Sequence, residues 1–152
     1  MAETFPVAAL EAMSQAELDA LFRSSPAGEI PHGRGDGTVL IAPGTALTEP
    51  AAKVAHLLAW KGKVFDAARG EVQNELLPTA IRAVPAQVYV GPSRRDGGAC
   101  IVLDYSRTTL LTSWIHDELR LIAPGLYLGV MLWGRTRVVD FALRFPAAGP
   151  AG

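Results

Sequence analysis

The chain has 152 residues, about the length of one domain, with 49% hydrophobic residues, 19% charged residues and a formal net charge of −1. A balance so close to neutral lacks the concentrated basic surface that nucleic acid or anionic membrane requires, so neither is an expected partner. No apolar run reaches the roughly 20 residues of a spanning helix; the most apolar stretch, Leu119 to Trp133, is cut by the charge of Arg120 and by Pro124-Gly125, so no membrane insertion is expected.

The first residues, MAETFPVAAL, begin acidic and lack the cationic region of a secretory signal. Residues 1–13 show no period and read as a flexible arm, followed by one domain over 14–146 and a frayed tail over 147–152. Ser14-Gln15-Ala16-Glu17 is a capping box, and Met13 and Leu18 stand where a hydrophobic staple would place them. A helix should run from there to about Phe22, burying Leu18, Leu21 and Phe22. The turn-rich stretch SSPAGEIPHGRGDG follows. Its glycines lack the G-x-G-x-x-G spacing of a dinucleotide loop, and a strand, Thr38 to Ala42, comes next. Arg34-Gly35-Asp36 matches an adhesion tripeptide, a match too short to carry weight.

Thr48, Glu49 and Pro50 open a second helix with Val54, Leu57 and Leu58 on its apolar stripe and His56 opposite. From Trp60 onward the pattern turns to strands. Lys63 to Phe65 and Val72 to Leu77 flank a turn at Asp66 to Gly70, and Ile81 to Val90 carries Pro85, the mark of an edge strand or a bulge. Cys100 to Tyr105 is a strand in which the single cysteine, beside Ile101-Val102-Leu103, reads as core rather than nucleophile. One cysteine forms no internal disulfide, which fits a reducing, cytoplasmic location. Gly129 to Trp133 and Arg137 to Phe145 form a closing hairpin. The sum is a mainly β (β-rich α+β) protein: a small antiparallel barrel with two or three short helices.

Thr108 to Ile122 fits a helical spacing better than alternation, with Leu110, Leu111, Trp114, Ile115, Leu119 and Ile122 on one arc. Glu118 falls within that arc. Read as a strand, the same segment puts Trp114, His116, Glu118 and Arg120 on one face, so Glu118 lies beside Trp114 either way. A carboxylate on an apolar face must be paired, hydrogen-bonded or protonated. It is either a structural partner for Arg82, Arg120 or Arg144, or the acid or base of a site. Asp104 and Tyr105 point to opposite sides of an extended strand, so only one of them can face an interior. His32, His56 and His116 lack metal-ligand spacing, and no cofactor motif is present, so neither metal nor cofactor is expected.

The order of Trp60-Lys61-Gly62-Lys63-Val64-Phe65, Asp117-Glu118-Leu119-Arg120, Pro124 to Met131 and Phe141-Ala142-Leu143 resembles a group of small bacterial calycin-like barrels, the GXWXG-associated lipocalin-like domains. The resemblance spans Trp60 to Phe145 and implies a closed antiparallel barrel with an apolar interior, with no catalytic role to carry over. Three functions compete. The first is a binding protein for a small hydrophobic ligand, a metabolite held between Trp60, Trp114, Tyr127 and Trp133 and oriented by Glu118 and Arg120. The second is a cofactor-free cyclase, isomerase or dehydratase with Glu118 as acid or base and Asp104 or Tyr105 opposite. The third is an interaction domain with no pocket. Oligomeric state is left open.

Overall fold

The computed structural model describes residues 5–40, 60–76, 81–107 and 113–146. Its strands are β1 (Gly33–Leu40), β2 (Trp60–Asp66), β3 (Glu71–Leu76), β4 (Ile81–Pro92), β5 (Ala99–Asp104), β6 (Ile115–Ala123), β7 (Leu126–Trp133) and β8 (Thr136–Arg144). Each pairs antiparallel with its chain neighbours, and β1 pairs with β8 from Asp36↔Arg144 to Leu40↔Asp140, which closes an up-and-down barrel. Closure leaves no strand edge to template another chain.

Two short helices precede the barrel, α1 (Val7–Glu11) and α2 (Gln15–Ser24). The capping box forms: Ser14 Oγ accepts from the Glu17 amide and Glu17 Oε1 accepts from the Ser14 amide, both at 3.1 Å. Leu10 of α1 is fully buried, so part of the segment expected to be a loose arm is packed structure. The helices lie on the outside of the barrel, where Leu10, Leu18 and Phe22 meet Leu126, Leu128, Val130 and Leu132 from β7. Each such side chain contributes about 1.5–3 kcal/mol on burial, enough to hold short helices that would not persist alone.

This outer cover explains why β6 read as a helix. Its residues His116 to Arg120 are all buried, because one face looks into the barrel and the other lies under α2 and the 93–98 turn. The two-residue alternation on which a strand is recognised is hidden here, because the inward face carries the charged Asp117 and the outward face buries His116, Glu118 and Arg120. The helix expected over Thr108 to Ile122 is therefore corrected to a strand over Ile115–Ala123; residues 108–112 lie outside the described ones. The helix expected from Thr48, with His56, also lies outside the described residues.

β1 begins at Gly33, five residues before the expected start at Thr38. Glycines there serve packing rather than a turn. A Cβ on Gly35 would sit 2.6 Å from the Phe145 ring, and one on Gly37 would sit 2.4 Å from the Trp60 ring. Alternate glycines thus clear one face of β1 for two aromatic side chains. Pro85 falls in a bulge: Val72↔Ala86 and Asn74↔Ala83 leave Val84-Pro85 opposite Gln73 alone, the place where a missing amide costs least. Pro124-Gly125 joins β6 to β7, with Gly125 at φ 70°, as a Pro-Gly turn requires.

Candidate functional site

The barrel has two unlike ends. At one, Phe65, Tyr127 and Phe145 stack edge to face, with centroids 5.6 Å (Phe65–Phe145) and 5.5 Å (Tyr127–Phe145) apart. The segment after α2 crosses this end. Ala27 and Ile30 pack on the interior cluster, the Leu121 amide donates to the Pro26 carbonyl at 2.9 Å, and Tyr127 OH donates to the Glu29 carbonyl at 2.6 Å. This end is plugged. Toward the other end, where β2 and β6 begin, the inward side chains Trp60, Ile115 and Met131 are only half-buried.

Between the plug and that end lies a polar cluster inside an otherwise apolar barrel. Lys63 (β2), Asn74 (β3), Tyr105 (just after β5) and Asp117 (β6) come from four separate stretches of the chain and point to the same centre. Lys63 Nζ lies 2.7 Å from Asn74 Oδ1, 2.8 Å from Tyr105 OH and 3.0 Å from Asp117 Oδ2. Asn74 Nδ2 donates to Tyr105 OH at 3.0 Å, Tyr105 OH donates to Asp117 Oδ2 at 3.2 Å, and Trp60 Nε1 donates to Asn74 Oδ1 at 3.1 Å. The Lys63 ammonium also stands 5.4–5.5 Å from the ring centroids of Trp60, Tyr105 and Phe141, where their π faces favour a cation.

The electrostatics follow from burial and pairing. Desolvation works against the charge on Lys63, but Asp117 and Tyr105 outweigh it and hold the ammonium above its ordinary value. Burial, then the Asp117 charge, pushes Tyr105 up to about 12 against the pull of Lys63. The three ammonium protons of Lys63 have three acceptors. Asp117 Oδ1 does not share in this: it is buried and has no hydrogen-bond partner among the described residues.

The residues expected from the sequence are placed very differently. Tyr105 is inside, in the cluster, whereas Asp104 faces out, accepting from Tyr89 OH at 3.2 Å and from the Ser106 amide at 2.8 Å. Trp60 is inside. Tyr127 is inside but belongs to the plug. Trp114 and Trp133 are 62% and 51% exposed, with Trp133 at the end of β7 opposite Ile115. Glu118 is buried, yet on the outer face of β6, so its expected place in a cavity is corrected. Its Oε1 accepts from Ser93 Oγ at 2.6 Å and its Oε2 from the Arg94 amide at 2.7 Å, with His116 Nε2 3.0 Å from Oε2. Burial alone would raise its pKa, but the bonds from His116, Ser93 and the Arg94 amide outweigh that and lower it. Glu118 fastens the 93–98 turn to the barrel wall.

Arg120, expected to orient a ligand, is likewise consumed outside. Its guanidinium meets Asp96 through two 2.7 Å bonds, donates to the Phe22 carbonyl at the end of α2 at 2.8 Å, and stacks 4.5 Å over the Phe22 ring. Two surface clefts carry polar side chains that are already engaged: Arg120 with Asp96 in one, and His32 Nδ1 with the Ala67 amide in the other.

Lys63, Asn74 and Asp117 were missed as site residues. The signal was present, since Lys63 stands in W-x-G-K-x-F and Asp117 opens D-E-L-R. A lysine on a strand flanked by Gly62 and Phe65, and an acid at the inward parity of Leu119, are both out of place unless they meet.

An antiparallel eight-stranded barrel, plugged at one end and holding a buried lysine–tyrosine–aspartate–asparagine cluster, is thus the class of protein that fold and site define. No family model matches the chain, and no curated protein matches it. The fold is shared with a protein from Thermomonospora curvata of solved crystal structure, at TM-score 0.63 and 20% identity, over 92% of this chain and 93% of that one. No described helix is long and apolar enough to cross a membrane.

Proposed function

We propose that the protein is a cytoplasmic binding protein that holds one small, mainly apolar molecule in the barrel, entering at the end opposite the plug. The observation that carries this reading is the polar cluster itself. Four hydrogen-bonding side chains buried together in an apolar barrel cost desolvation that hydrophobic residues of equal volume would not, so stability is a poor reason for their presence. They fit a site that is apolar on its walls and polar at one point, as small-molecule sites are. The W-x-G-K-x-F and D-E-L-R motifs, which supply Lys63 and Asp117, also support kinship with the GXWXG-associated lipocalin-like domains.

Binding is favoured over acid–base catalysis by the protonation states. A general acid or base works best with a pKa near the working pH, whereas Tyr105 stands at about 12 and Lys63 is held charged. A charged lysine is also no nucleophile, which disfavours an imine with an aldehyde ligand.

The test uses a Trp114→Phe/Trp133→Phe protein, in which Trp60 is the remaining indole, titrated with the neutral dye N-phenyl-1-naphthylamine. Energy transfer from Trp60 should saturate at one dye per chain, and a native mass spectrum of the protein as purified should show a retained small molecule. Absence of saturable transfer would overturn the reading.

A further inference from the structure

The cluster carries one acceptor that its own neighbours do not use. Lys63 Nζ and Tyr105 OH both turn to Asp117 Oδ2, at 3.0 and 3.2 Å, while Oδ1 of the same fully buried carboxylate has no partner among the described residues. A carboxylate oxygen left bare in a protein interior forfeits hydration without replacement, a cost of about 1–3 kcal/mol or more for a charged group. We infer that Asp117 Oδ1 is the recognition point of the barrel, and that it selects a neutral ligand bearing a hydroxyl or N–H donor. This rests on the barrel being a binding site.

Donor and neutrality follow from separate observations. Oδ1 can only accept while the carboxylate is ionised, so the ligand must donate. The charge on Asp117 is already balanced by Lys63 at 3.0 Å, and among the described residues the surrounding walls are aromatic and aliphatic, with no second counter-ion. A cationic amine or an anionic acid would therefore be buried unpaired, at a cost of several kcal/mol. An alcohol, phenol or amide enters without that cost.

The approach is set by β7. Met131 is paired directly with Asp117 in the β6–β7 register, on the same inward face, and Ile115 lies two residues before Asp117 on β6. Both are half-buried: Met131 stands beside the carboxylate, and Ile115 lies between it and the end opposite the plug. Methionine is unbranched and adopts alternative rotamers at low cost. Met131 is thus the side chain that yields when a ligand reaches Oδ1, and its Ile115 neighbour, β-branched and stiff, forms the fixed wall.

The experiment compares 2-naphthol, a neutral donor, with 2-methoxynaphthalene and 2-acetylnaphthalene, which only accept. Protein labelled at the methionine methyls is titrated with each and read by NMR, so that movement of the Met131 signal reports the barrel rather than the surface. Wild type should bind 2-naphthol about tenfold or more tightly than either acceptor, as expected of a bond to a charged group. In Asp117→Asn, Lys63 and Tyr105 keep the amide oxygen on their side, which turns an NH2 toward the ligand. Preference should then reverse toward 2-acetylnaphthalene. Equal affinities in wild type overturn the inference while leaving the barrel a binding site, even if the variant does not fold. Failure of all three probes while N-phenyl-1-naphthylamine binds also overturns it. Failure of every probe overturns the binding reading itself.

Discussion

Removing the lysine from the cluster exposes what holds the barrel interior together. Lys63→Met keeps an unbranched side chain one atom shorter and deletes its charge. The side chains of Lys63 and Asp117 are 3% and 0% exposed and their charged atoms are 3.0 Å apart. The variant therefore leaves an anion in the interior with Tyr105 as its remaining donor among the described contacts. Breaking one side of such a buried pair costs about 3–5 kcal/mol, which for a domain of this size lowers Tm by roughly 6–20 °C at about 2–4 °C per kcal/mol. Urea unfolding followed by circular dichroism should show a lower midpoint with an unchanged slope. Adding Asp117→Leu to the same protein removes the stranded charge, and the double variant should regain most of the loss. The reasoning is refuted if Lys63→Met costs under about 1 kcal/mol, or if the two losses simply add. The same pair fixes an alkaline limit. Because Lys63 is held above its ordinary value in the fold, its contribution is complete below about pH 10.4 and is lost as pH rises from there through the folded value.

Further outcomes follow from the wall and its outer supports. Burial, then the nearby Glu118 charge, pushes the Cys100 thiol up to about 12, so native protein at pH 8 should leave Ellman's reagent untouched and react only after unfolding. Asp96 is held down at about 2, chiefly by its hydrogen bonds to Arg120. Its contribution to stability is present above about pH 4 and lost as pH falls through 2; an NMR titration should find that midpoint, and Arg120→Gln should move it up toward the ordinary carboxylate range. Gly62→Ala would place a Cβ 2.0 Å from the Gly35 carbonyl oxygen at φ 152°, and should destabilise by about 2 kcal/mol or more in urea unfolding, because backbone cannot swing aside. Glu118→Gln should lower the thermal midpoint by loosening the 93–98 turn yet leave dye affinity in the barrel unchanged; loss of binding without loss of stability would contradict the outward placement of this carboxylate.

The sequence disclosed most where one local rule acted alone. Ser14 and Glu17 marked the start of α2, Gly134 marked the last hairpin, and Asp66 to Gly70 marked the turn between β2 and β3, all read correctly from turn and cap chemistry. It misled where two environments overlapped. β6 is buried on both sides and puts the charged Asp117 on its inner face, so its alternation was hidden, and the glycines of β1 resembled a loop because the reason for them, the rings of Trp60 and Phe145, lies elsewhere in the chain. The choice of Glu118 over Asp117 turned on the same ambiguity. Adjacent residues of a strand face opposite ways, and without the strand's inward parity there was no way to tell which acid looked into the barrel. Lys63 was passed over because its significance depends on Asp117, 54 positions away in sequence.

The joint between β1 and β8 has a consequence for how the chain assembles. Every other pairing joins neighbours along the chain and can form as a hairpin, with little entropy lost in loop closure. The seam instead brings Asp36–Leu40 to Asp140–Arg144, nearly the whole length of the domain apart. Until it zips, a growing sheet presents two raw borders at once, so the interval before closure is when copies of the chain are most able to join one another instead.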